Sequence, residues 1–137
     1  MRLVSFRAPD SSFRAGLVRS GTNGDEVIDI NAANPSLPSD MTALLKLGIG
    51  EGSAVREIAA SAASSTPLAD VTLGPAVPNP PKILLLAGNY NSHIAESHGK
   101  GVNKEDVTPR FFIKPNTSIA GPHDDIRIPP VSDTVDY

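Results

Sequence analysis

His93 and Glu96 stand three residues apart in "GNYNSHIAES" (Gly88–Ser97), directly after the apolar run "KILLLA". On a helical turn, residues at i and i+3 share a face and can touch. A glutamate bonded to one imidazole nitrogen fixes the tautomer and raises the ring's basicity. The other nitrogen can then take a proton from water. On an exposed turn the same pair is also an ordinary, weak surface contact. Spacing alone leaves both readings open.

Other residues invite weaker readings. His98 and His123, taken with His93, suggest a metal, but they lack the i, i+4 spacing of a helical zinc site. Solvated loop histidines fit them better. Lys114 closes the apolar run "RFFIK" just before Pro115. A lysine there either reaches a partner or snorkels from a strand end. Asp124 and Asp125 in "GPHDD" are candidate ligands or, more simply, solvated turn carboxylates.

The elements that must position these residues are short. Thirteen prolines in 137 residues are about twice average usage, and proline is excluded from helix interiors and central strands. "RLVSFR", "RAGLVRS" and "EVIDI" predict three antiparallel strands, with Asn23-Gly24 as a hairpin signal. "NAANPSLPSD" reads as a loop ending in an N-cap at Ser39 or Asp40. A helix follows over Met41–Leu47, with Met41, Leu44, Leu45 and Gly48 on one stripe, and a second over Ser53–Ser64. The proline-rich stretch Ser65–Lys82, with a short strand around "VTL", is a stiff seam. It predicts a small strand-and-helix domain over residues 1–76 and a second domain over 77–137. In the latter, "KILLLAG" predicts a strand buried on both faces. "RFFIKP" and the alternating "DIRIPP" predict two more.

The chain has no cysteine and a net charge of −3, and aromatics make up 4% of it. Thiol chemistry is excluded, and a basic, stacking nucleic-acid groove is disfavoured. No apolar run approaches the roughly 20 residues of a membrane span. "MRLVSFRAPD" returns to charge too early for a secretory signal. Together these predict a cytoplasmic protein.

The ordered segments "VPNPPKILLLAGNYNSHIAES", "PRFFIKPNTSIAGPHDDIRIPP" and "VDY" resemble the fumarylacetoacetate hydrolase family. Its signature is a proline-led strand, a Gly-x-Asn-Tyr-x-x-His-x-x-Glu turn and a Phe-x-Lys-Pro strand. The resemblance covers about Val77–Tyr137, and residues 1 to about 75 look like the small domain that precedes the catalytic unit in many bacterial members. It implies an α+β fold in which the small domain leads into the first part of a mixed β-sandwich or β-roll. It also implies catalytic roles for His93, Glu96 and Lys114, and substrate contacts from Asn89, Tyr90 and Ser118. Ala87 stands where a glycine is usual, with Gly88 one place later, and Ser92 where an aspartate often precedes the histidine.

The implied activity is metal-dependent hydrolysis, tautomerisation or decarboxylation of small 2-oxo or enol acids, among them acylpyruvates, oxaloacetate and ring-cleavage diene-dioates. The implied cofactor is Mg2+ or Mn2+ (sometimes Ca2+). Its Glu-x-Glu and Asp ligands are expected beyond Tyr137, so no metal ligand is assigned within these residues. A strand as apolar as "KILLLA" has few later elements to cover it. Residues 1–137 alone are therefore expected to be inactive and to need a homodimer partner or a chain carrying a C-terminal half. The competing expectations are a split or truncated non-catalytic subunit serving assembly, and a plain binding module.

Overall fold

The computed structural model describes residues 2–48, 53–132 and 134. They form two compact units, residues 2–79 with 119–134, and residues 80–118. The fold class is α+β, with antiparallel sheets.

The first unit is built on a four-stranded sheet in chain order. Strands β1 (Arg2–Arg7), β2 (Phe13–Gly21) and β3 (Gly24–Asp29) pair antiparallel as their alternation predicts. A two-residue strand, β4 (Thr66–Pro67), adds to β3. The β2–β3 turn falls where the Asn-Gly signal puts it, one residue out of phase. Gly21 pairs with Gly24, so Thr22 and Asn23 form the loop, and Gly24 takes the positive φ of +121°. The expected "VTL" strand is reduced to a single bridge between Leu73 and Phe6, flanked by hydrogen bonds from Arg7 to Thr72 and from Gly74 to Ser5.

Register decides which side chains enter the core. Leu3 pairs with Leu17 and Leu17 with Ile28, which puts three apolar residues on one face. Helices α2 (Met41–Lys46) and α3 (Ser53–Ser61) supply Met41, Leu44, Val55 and Ile58 to the same cluster. Ser5 is the one buried polar side chain in that unit among the described residues, and its hydroxyl donates to the Ala76 carbonyl.

Two polar networks tie helices to the sheet. Asp29 accepts a bidentate pair of bonds from Arg14 and also caps the four-residue helix α1 (Ile30–Ala33) through the Ala32 amide. That helix takes the last residue of the expected strand "EVIDI" and the first three of the expected loop, because Asp29 is an N-cap placed before the apparent loop begins. Asp40 caps α2 at Ala43, settling the Ser39-or-Asp40 alternative. At the far rim, Arg19 donates to the Ala59 carbonyl in α3 and to Glu26, which also accepts from Ser65.

The second unit is a two-stranded ribbon with a helical excursion between its strands. β5 (Ile83–Ala87) pairs antiparallel with β6 (Arg110–Lys114), and α4 (Asn91–His98) lies between them in sequence. Both strands form where expected, but the expectation that "KILLLAG" is buried on both faces is corrected. Leu84 is 53% exposed and Leu86 42%, because a lone ribbon has no layer against which to pack. "DIRIPP" forms no strand: without a neighbouring ladder to take its amides and carbonyls it stays irregular, with Ile126 and Ile128 exposed.

The Ser65 hydroxyl first, then Arg19, hold the Glu26 carboxyl below its usual range, and Arg2 first, then Ser20, do the same for Asp25. A carboxyl depressed on folding stabilises the fold above its unfolded value, near pH 4, and loses that effect as pH falls through the folded value. Urea midpoints should therefore drop as pH is lowered from about 5 toward 3. Glu26→Gln should remove part of the dependence, and an unaltered acid slope in that variant would count against the network.

Candidate functional site

The candidate site is set by how β5 leaves its ribbon. The last rung pairs Ala87 with Arg110, after which the chain turns at Gly88. Gly88 adopts φ +62°, a left-handed conformation that disfavours any residue with a Cβ. Tyr90 then holds extended backbone as the N-cap of α4, without a side-chain cap, and Gly99 closes the helix with φ +74°. The Asn91 side chain accepts from the Val102 amide, latching the returning chain to the first turn of the helix.

On this helix His93 and Glu96 meet one turn apart, with Nδ1 3.3 Å from the nearer carboxylate oxygen. Both are more than half exposed. With its proton on Nδ1, His93 donates to Glu96 and leaves Nε2 free to act as a base.

Ladder register sorts the ribbon's two faces. Leu84 with Ile113 and Leu86 with Phe111 make one face entirely apolar. The other carries Ile83, Leu85, Ala87 and Phe112, with Arg110 at one end and Lys114 at the other.

Three hollows gather around Ala87 and Gly88. One, of ≈ 360 Å3, is lined by His93 and Arg110 together with Ile94, Val102 and Val107. Asn89 borders the other two, and Tyr90, 69% exposed, borders one of them.

The remaining expected residues lie elsewhere. Lys114 pairs with Ile83 at the opposite end of the ladder from Ala87, about 13 Å along the strand at a rise of roughly 3.3 Å per residue. It lines none of the three hollows. Ser118 ends a 3-10 turn (Asn116–Ser118), where its hydroxyl donates to the Pro115 carbonyl. The structure thus gathers His93, Glu96, Asn89 and Tyr90 at one corner and leaves Lys114 and Ser118 apart from it. Arg110 was missed in the sequence. Its signal is a cation on the first residue of a strand whose partner strand ends at the turn.

The side chain of His98 lies outside the described residues, and His123 belongs to the other unit. Among the described residues no three His, Asp or Glu side chains come together as a metal site. A hard divalent cation needs several oxygens in one cage, so the described residues do not fit one. Asp124 instead closes its turn by accepting from the Gly121 amide.

Residues 82–137 match the family described as "Fumarylacetoacetate (FAA) hydrolase C-terminal". Over those residues the chain is similar to the fumarylacetoacetate hydrolase family. Over its whole length it is 38% identical to a Bos taurus protein named "Oxaloacetate tautomerase FAHD2A, mitochondrial" and 37% identical to the Homo sapiens protein of that name. It spans 42% of the length of each. "Protein Rv2993c" of Mycobacterium tuberculosis (strain ATCC 25618 / H37Rv) is 42% identical over 66 residues, which are 47% of this chain and 23% of that protein. No solved structure matches the chain.

These relatives overturn the expectation of a cytoplasmic protein, since the bovine and human proteins are named as mitochondrial. The absence of cysteine was the wrong kind of signal: it removes disulfides as evidence and cannot tell one compartment from another.

Gly88 gives this site a direct test. A Cβ there would meet the Ile94 side chain at 3.6 Å, ordinary contact, so the cost of substitution is conformational. Gly88→Ala should destabilise the corner by about 1–2 kcal/mol, whereas Gly88→Asn should cost less because asparagine tolerates this conformation. Amide exchange across residues 88–98 would check the ranking, and equal protection in both variants would refute it.

Proposed function

We propose that the intact protein is a hydrolase or isomerase of small 2-oxo or enol acids, and within that class a tautomerase of oxaloacetate. The family and the names of the bovine and human relatives support the class. The observation that carries the mechanism is the contact of His93 Nδ1 with Glu96 beside a hollow large enough for a four-carbon acid.

In this reading Glu96 orients the imidazole by accepting from Nδ1, and Nε2 moves the proton. Converting enol to keto oxaloacetate requires loss of the C2 hydroxyl proton and gain of a proton at C3. His93 can take the first and deliver the second without oxidant or reductant. The same base acting on water would serve C–C hydrolysis. Asn89 and Tyr90 shape the hollow's mouth, and Lys114 and Ser118 are proposed as further contacts in the assembled enzyme. The expected Mg2+ or Mn2+ ion is proposed to take its carboxylate ligands from outside residues 1–137, and no step above runs through it.

A second reading is favoured by one observation, the exposed apolar face of Leu84, Leu86, Phe111 and Ile113. On that reading the residues serve assembly, covered by a second copy or by further polypeptide, and the dyad does no chemistry.

The two separate in one experiment. With the intact protein, followed by loss of enol absorbance from oxaloacetate, His93→Ala should lower turnover by about 10²–10⁴-fold while leaving Mg2+ or Mn2+ affinity almost unchanged. Glu96→Gln should lower turnover by less. Turnover within threefold of the native value in His93→Ala would sink the dyad and favour the assembly role.

A further inference from the structure

We propose that Arg110 binds a carboxylate of the substrate. This rests on the reading of the His93 hollow as the place where a small 2-oxo acid reacts.

Arg110 opens β6 in register with Ala87, the last residue of β5, so it stands where the backbone departs toward α4. His93 and Arg110 line the same hollow, whose other walls are Ala87, Gly88, Ile94, Val102 and Val107. Those walls are apolar or backbone. Arg110 is therefore the one permanently charged residue among those lining the hollow. Among the described residues no carboxylate lies within ion-pair distance of it, while Arg2, Arg14 and Arg19 are each paired.

An arginine among apolar lining residues, with no ion-pair partner among the described residues, is suited to an anionic ligand. Its planar fork meets a carboxylate through two parallel hydrogen bonds, a geometry an ammonium lacks. Lys114 shares the face but stands about 13 Å along the strand, so it is no substitute. In this assignment one carboxylate of a four-carbon dicarboxylate meets Arg110, and His93 lines the same hollow.

Steady-state kinetics on the intact protein with oxaloacetate test this. Arg110→Gln should raise KM at least tenfold with kcat within threefold of native, and Arg110→Lys should recover part of the loss. An unchanged KM in Arg110→Gln overturns the assignment.

Titration with succinate, an unreactive four-carbon dicarboxylate, separates this assignment from the proposed chemistry. Arg110→Gln should weaken succinate binding at least tenfold, and His93→Ala should leave it within twofold. Native-like succinate affinity in Arg110→Gln overturns the assignment whether or not oxaloacetate is turned over. An Arg110-dependent succinate site in a protein without turnover would overturn the dyad mechanism and support the anion site.

Discussion

The pairing of Ile83–Ala87 with Arg110–Lys114 holds the candidate site together. His93, Glu96, Asn89 and Tyr90 lie between those strands, on the excursion that leaves at Gly88 and returns at Pro109. Closing such a loop costs entropy that grows slowly with its length. The ladder must offset that cost with cross-strand contacts such as Leu85 with Phe112. The pairing also sets the angle at which β5 hands the chain to α4, and Gly88 fixes that angle with a conformation few other residues accept. If the ladder slipped by one residue, every side chain would change face. Arg110 would then leave the face that carries Ala87.

Much of the first unit was legible because its physics is local. Alternation in "RLVSFR" and "EVIDI" names strands and their buried face, and Asp40 before Met41 names a helix start. What escaped depended on partners. Asp29 looks like the last residue of a strand, yet it is at once the ligand of Arg14 and the cap of α1. Leu73 forms a bridge because β1 has a free edge beside it, something residues 71–73 cannot reveal. "DIRIPP" has the alternation of a strand and lacks the neighbour.

The site divides along the same line. His93 and Glu96 were legible from helical spacing, and the structure puts them in contact as that spacing expects. Arg110 was not, because its relation to His93 runs through the ladder rather than along the chain. Ala87 and Arg110 are far apart in sequence and adjacent in space. Lys114 illustrates the reverse. The motif names it with His93, but ladder register carries the two to opposite ends of the ribbon.

Exposure is the remaining constraint on the dyad. A His-Glu contact more than half in water has a modest energy, because solvent competes for both partners. Electrostatic catalysis gains its strength where water is excluded and the local dielectric is low. The apolar face of the ribbon makes a parallel demand: Leu84, Leu86, Phe111 and Ile113 would each gain free energy on being covered. The chain spans 42% of the length of its bovine and human relatives, so those proteins hold further polypeptide. If further chain packs on the apolar face, it stiffens the ladder from behind and leaves the charged face, with Arg110 and Lys114, bordering the cleft. Covering one face of the ribbon would then leave the other, with a cation at each end, open to solvent.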